Sequence, residues 1–91
     1  MLDSIPLISV VIPTHDRLIF LKRAIASVEQ QSWRRIELVV VDDASADGTQ
    51  AYLRSAQPRT FSFKYVVNEK SVGGAKSRNI GIAHSTGEYI A

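Results

Sequence analysis

Apolar positions along this chain are spaced in three ways. Leu7-Ile-Ser-Val-Val-Ile12 and Ile36-Glu-Leu-Val-Val-Val41 are almost continuous apolar runs, as expected for strands covered on both faces of a parallel sheet. Pro13 lacks the N–H that a continuing strand needs, so the first strand is predicted to close there. Between the two runs, Leu18, Leu21, Ile25 and Val28 recur at three- and four-residue spacings, with Lys22, Arg23, Glu29 and Gln30 off the stripe. That period predicts an amphipathic helix from Leu18 to Gln31, with Asp16 as its N-cap. Further on, Phe61, Phe63, Tyr65 and Val67 alternate with polar residues, the pattern of a half-exposed strand near a sheet edge.

Strand, helix and strand within about thirty-five residues make a βαβ unit, whose crossover should be right-handed. Asp47-Gly-Thr49 starts a second helix, which must end before Pro58. Val72-Gly-Gly-Ala75 opens a third, running to about Ser85 and ended by Gly87. Glu88-Tyr-Ile-Ala91 has the look of a fourth strand just beginning, at a place where the alternation predicts an interior one. The expected fold class is therefore α/β, a three-layer Rossmann-like sandwich with a mainly parallel sheet. Ninety-one residues allow one small domain at most. The chain reads as the front part of a larger one.

Composition excludes more than it selects. The net charge is +2 with interspersed signs, and Lys22-Arg23 and Arg34-Arg35 are the only adjacent basic pairs; no nucleic-acid partner is expected. The chain has no cysteine, which removes disulfides and thiolate metal sites. Asp3 and Pro6 stand where a signal peptide would need a basic and then an apolar stretch, and no run is long enough to span a bilayer. A soluble, cytoplasmic protein is expected.

Three segments carry candidate chemistry. Pro13-Thr-His-Asp-Arg17 follows the first strand where a dinucleotide-binding fold would have Gly-x-Gly-x-x-Gly, yet no glycine precedes Gly48. The imidazole of His15 and the guanidinium of Arg17 suit stacking on a base and meeting a phosphate. The plainer reading makes His15 a solvated loop residue and Asp16 a helix cap. At the second strand's end, Asp42-Asp43 puts carboxylates where ligands bind in open α/β sheets. Because strand side chains alternate, one carboxylate is expected to face the cleft and the other to support the turn. A carboxylate only accepts hydrogen bonds, which suits the N3–H of uracil, or a ribose hydroxyl, and repels N3 of cytosine. Finally, Gly73-Gly-Ala-Lys-Ser-Arg-Asn79 offers free N–H groups at a helix start, with Lys76 and Arg78 adding positive charge. A plain loop-to-helix start with surface basic residues reads equally well. Gly81, in that helix's interior, costs stability unless the helix packs closely on the sheet.

Taken together, Ile8-Ser-Val-Val-Ile-Pro-Thr-His-Asp-Arg17, Val40-Val-Asp-Asp-Ala-Ser-Ala-Asp-Gly-Thr49, Gly74-Ala-Lys-Ser-Arg-Asn-Ile-Gly81 and Thr86-Gly-Glu-Tyr-Ile-Ala91 resemble the opening of a family 2 glycosyltransferase, four blocks in the right order and spacing. The resemblance implies that residues 1–91 are the N-terminal nucleotide-sugar-binding part of a GT-A domain. It implies a nucleotide-diphosphate sugar donor, commonly a UDP-sugar, with transfer to an acceptor that is a sugar, a lipid-linked sugar or a protein. Nucleoside contacts carry onto Pro13, Thr14 and His15, base contact onto Asp43, loop support onto Asp42, and a place near the nucleotide onto Arg78. Where the family more often has Tyr-Asn, this chain has His15-Asp16. Lys76-Ser77 stands in place of smaller residues.

In that family the strand beginning at Glu88 continues into an Asp-x-Asp-like motif that holds Mn²⁺ or Mg²⁺ on the donor diphosphate. The chain ends before it, and before any catalytic base, so no residue here is assigned a catalytic or metal-ligating role. The resemblance allows a full-length protein at the inner face of the membrane, and the isolated chain is expected to be inactive. Two other readings stand beside this one. The chain is a free-standing nucleotide-binding or assembly module, or it is a receiver-like signalling domain, which requires a later aspartate that no position after Asp47 supplies. If the last strand forms, its open edge predicts self-association.

Overall fold

The computed structural model describes residues 5–33, 35–55 and 61–91. Its elements run β1 (Ile8–Thr14), α1 (Leu18–Glu29), β2 (Ile36–Asp42), α2 (Thr49–Ser55), β3 (Ser62–Val67), α3 (Gly74–His84) and β4 (Tyr89–Ile90). The four strands form one parallel sheet in the order β3-β2-β1-β4. Pro58, named above for a helix end, and Arg34, named for a basic pair, lie outside the described residues. Among the described residues no helix is long and apolar enough to cross a membrane.

The central strand explains the layers. All seven residues of β2 are buried, because β1 and β3 flank it and helices cover both faces. Leu38 and Val40 point to one face, where they meet Leu21 and Ile25 of α1 and Leu53 of α2, with Val10 and Ile12 beside them. On the other face α3 lies so close that a Cβ built on Gly81 would run into Val11 and come within 3.1 Å of Val41 Cγ2. Glycine there is the condition for close helix–sheet packing, which offsets its intrinsic cost in a helix. The expected three-layer sandwich is the observed one.

Three ends differ from the expectation, each for a local reason. β1 does not close at Pro13 but continues to Thr14. Ile8 N–H donates toward β2, to Arg35 O, whereas Val11 N–H donates to the other side, to Ala91 O. By that alternation the missing donor of Pro13 falls on the side away from β2, so no bond of the β1–β2 ladder is lost. Asp16 is not the N-cap of α1. Arg17 holds that position without a side-chain cap, and the Leu18 N–H is taken instead by Asp47 Oδ2 at 3.0 Å, from the loop after β2. The helix also stops at Glu29, two residues early.

Gly87, expected to end α3, does something else. The helix ends at His84, Ser85 after it is already extended, and Gly87 passes directly over β1. A Cβ on it would sit 2.7 Å from Ser9 N and 2.8 Å from Leu7 O. These are backbone atoms that cannot move aside. Gly87→Ala is expected to push β4 off β1 at a cost of about 2 kcal/mol. Hydrogen exchange checks it: the amide of Ala91, which donates to Ser9 O, should lose its protection before the core does.

Below that contact lies a buried carboxylate that the sequence did not flag. Glu37, 5% exposed on β2, accepts from Ser9 Oγ (2.7 Å) and Thr86 N (2.8 Å) on Oε2. Its Oε1 accepts from Thr86 Oγ1 (3.1 Å) and pairs with Lys64 Nζ (2.8 Å). One side chain thus ties β1, β2, β3 and the α3–β4 connection together. Burial pushes its pKa up. The Lys64 ammonium, the Thr86 N–H and the Ser9 and Thr86 hydroxyls outweigh that and hold it at about 2, against an ordinary 4.5.

Candidate functional site

At the opposite end of the sheet, the carboxyl ends of β1 and β2 meet the start of α3. Helices leave the sheet toward different faces here, the place where open α/β folds bind ligands. A cavity of about 340 Å³ is lined by Pro13, Thr14, His15, Arg17, Asp43, Gly74 and Ser77.

Two loops build one wall, and they are clasped reciprocally. Asp43 N donates to Thr14 O (2.8 Å), Asp16 N to Ser45 Oγ (2.8 Å), and Ala46 N to Asp16 Oδ1 (2.7 Å). His15 Nδ1 lies 2.6 Å from Asp43 O. A carbonyl only accepts, so Nδ1 carries the proton and the ring plane is fixed. His15 Nε2 is 3.3 Å from Asp16 Oδ2, with both side chains about half exposed. His15 is therefore neither a loose loop residue nor buried; it is a braced, half-open ring at the cavity rim.

Both loops hold a non-glycine residue at positive φ, Asp16 at +50° and Ala44 at +59°. For Asp16 the carboxylate bond to Ala46 offsets the strain, but Ala44 has no side chain able to do so. Ala44→Gly is expected to stabilise the chain by about 1 kcal/mol and raise Tm by about 5 °C, read by thermal melting.

Asp43 forms the floor and is 4% exposed. Its Oδ1 accepts from Asn68 Nδ2 (3.0 Å) and Val72 N (2.8 Å); its Oδ2 accepts from Ser71 Oγ (2.8 Å) and Gly73 N (2.9 Å). The Asn68 amide and the Val72 N–H, then the Ser71 hydroxyl and the Gly73 N–H, overcome the opposing effect of burial and hold its carboxyl well below the usual carboxylate range. Asp43 thereby fixes the loop that launches α3. Asn68 also donates to Ser77 Oγ (3.2 Å), and its N–H donates to Asp42 O (2.8 Å).

Of the residues singled out from the sequence, Pro13, Thr14, His15, Arg17 and Asp43 line the cavity together. Asp42 does not, being fully buried with Oδ2 near Ser45 N and Oδ1 without a hydrogen-bond partner among the described residues. Lys76 and Arg78 are exposed on α3 outside the lining. Sequence reasoning missed Asn68, Ser71, Gly74 as lining and Ser77. Asn68 had one usable signal, its place immediately after β3. Among the described residues no three ligating side chains converge, and on Asp43 the four N–H and O–H donors occupy the lone pairs of the carboxylate.

Set against known proteins, residues 9–91 match the model for glycosyl transferase family 2. The chain belongs to that family. Among curated relatives, it is 31% identical over 86 residues to the GalNAc(5)-diNAcBac-PP-undecaprenol beta-1,3-glucosyltransferase of Campylobacter jejuni, covering 93% of this chain and 28% of that protein. It is also 31% identical to the putative teichuronic acid biosynthesis glycosyltransferase TuaG of Bacillus subtilis, covering 94% and 34%. The mannosyltransferase of Pyrobaculum calidifontis, solved with GDP-Man and Mn²⁺, superposes with a TM-score of 0.84 at 29% identity over 93% of this chain and 26% of that one. S. aureus TarS with UDP-GlcNAc gives 0.81 at 28% identity, over 92% and 25%. The fold is that of GT-A glycosyltransferases, and the chain spans about a quarter to a third of the length of these four proteins.

Proposed function

We propose that residues 1–91 form the donor-nucleotide half of a GT-A domain that transfers a sugar from a nucleotide-diphosphate sugar, UDP-linked by preference. The observation that carries this reading is the cavity at the switch point of the sheet, with an ionised Asp43 on its floor and a braced imidazole on its rim. In this reading the His15 ring stacks on the base, Asp43 accepts the base N–H, and Arg17 reaches the diphosphate. Asp42 supports the turn beneath them, while Lys76 and Arg78 add a positive field at the start of α3. The solved relatives with UDP-GlcNAc and with GDP-Man support a donor of this class.

The Mn²⁺ in the mannosyltransferase structure supports a divalent cation, Mn²⁺ or Mg²⁺, in the full-length enzyme, held by groups other than those described here. The acceptor is a sugar, a lipid-linked sugar or a protein, and the lipid-linked class fits a cytoplasmic enzyme at the inner membrane face. Turnover of a UDP-sugar by this chain alone would overturn the expectation that it is inactive.

Titration with UDP followed by ¹H–¹⁵N NMR tests the reading. Shifts clustered at His15, Arg17, Asp43, Ser71, Gly74 and Ser77 are expected, and a spectrum unmoved at about millimolar UDP, weaker than about 4 kcal/mol of binding, counts against it. A second reading, an assembly module, rests on β4, where Tyr89 and Ile90 are 61% and 42% exposed at the sheet's end. Pairing of two copies along that edge predicts a dimer by light scattering.

A further inference from the structure

An ionised carboxylate offers about four lone-pair positions, and on Asp43 all four are taken. A ligand donor arriving through the cavity must displace one of the resident donors. They are not equally displaceable. The Val72 and Gly73 N–H groups belong to the backbone that starts α3, where Gly73 O also accepts from Ser77 N at 3.0 Å. Moving them shifts the helix start. Asn68 is tied twice more, through Ser77 Oγ and through Asp42 O. Ser71 is different: its donor is a side-chain hydroxyl, not part of the backbone that starts α3, and Asp43 Oδ2 is the partner that hydroxyl has in this structure. A hydroxyl rotates freely and finds water at the surface.

We propose that the Ser71 hydroxyl is an exchangeable stand-in for the nucleotide, displaced from Asp43 Oδ2 when a base N–H arrives, so that Ser71 sets the affinity of the site and leaves its base selectivity to Asp43. The inference rests on the nucleotide reading of the cavity. One hydrogen bond to a carboxylate is traded for another, so the base contact contributes only the difference between them. Selectivity survives the trade. A base edge that presents an imide N–H, as uracil does, satisfies Asp43 once Ser71 has left. The N3 acceptor of cytosine does not, and leaves the carboxylate facing a lone pair.

Ser71→Ala removes the competitor and leaves Oδ2 one donor short. Calorimetric titration of the chain with UDP, and with CDP as the mismatched base, should show Ser71→Ala binding UDP about three- to tenfold more tightly than the parent chain. The preference over CDP should be kept, and Ser71→Thr, which restores the hydroxyl, should lose the gain. Urea unfolding of each variant confirms that it is folded. UDP binding by the parent chain that is equal or weaker in Ser71→Ala overturns the exchange and leaves the nucleotide site standing. Failure of both chains to bind UDP at millimolar concentration removes the nucleotide reading and this inference with it. Binding by Ser71→Ala alone supports both.

Discussion

Glu37→Ala is expected to destabilise the chain by about 3 kcal/mol, a large share of the roughly 5–14 kcal/mol available to a domain of this length. The loss comes less from the ion pair than from what the carboxylate satisfies. Lys64 is 41% exposed and can return to water, so its attraction is screened and worth about 1 kcal/mol or less. Ser9 has no such escape, being fully buried, and its hydroxyl also receives the Gly87 N–H at 2.9 Å. Removing Glu37 leaves a buried donor unpaired and loosens the crossing of Gly87 over β1. In urea the midpoint should fall by about 2–3 M for a slope near 1 kcal/mol/M, whereas Lys64→Ala should move it far less.

The same group predicts an acid response, and its sign is fixed. Glu37 has a pKa of about 2 when folded and 4.5 when unfolded. Its stabilisation is complete above pH 4.5 and is lost as pH falls from 4.5 through 2, a difference worth about 3 kcal/mol. Asp43 and Asp47 are also depressed from 3.8 and act in the same direction at the lower end of that window. The parent chain should therefore weaken steeply below pH 4.5, and Glu37→Ala should show a shallower fall. Equal slopes for the two would remove Glu37 from the account.

Much of this architecture is written in local periodicity, and the parts that are not share one cause. The runs at Leu7 and Ile36, the stripe from Leu18 to Val28 and the alternation from Phe61 to Val67 each declare their element without help from elsewhere. Asp43, and the loop from Pro13 to Arg17, were legible because the carboxyl end of a parallel strand is a place with a known use. The ends of elements were not. Pro13 reads as a stop unless one knows which side its missing N–H faces, and Gly87 reads as a helix end unless β1 is seen beneath it. Asp16 and Asp47 each bond a backbone amide of the other's loop, a swap invisible to any rule about neighbouring residues. The partners of Asp43 lie 25 to 30 positions away, and those of Glu37 up to 49. Hydrogen-bonded polar clusters of this kind carry no period, so only the assembled sheet reveals them.

Asp43→Asn provides the sharpest separation of holding from binding. The substitution keeps shape and volume but replaces one accepting oxygen by an NH₂ group that can only donate. Whichever way the amide is turned, the NH₂ faces two donors, either Asn68 Nδ2 with Val72 N or Ser71 Oγ with Gly73 N. Donor against donor is repulsive, and at least one backbone N–H is left without a partner in a site only 4% exposed. The loop from Ser71 to Gly73 should open, visible as faster hydrogen exchange at Val72 and Gly73, while the Leu38–Val41 core stays protected. UDP affinity should drop by about 10- to 100-fold, because the base loses its charged acceptor and the cavity loses its floor. Ser71→Ala leaves both of those intact and acts in the opposite direction. A carboxylate that merely stabilised the loop would let Asp43→Asn and Ser71→Ala weaken nucleotide binding together; one that also receives the base requires the two to move apart.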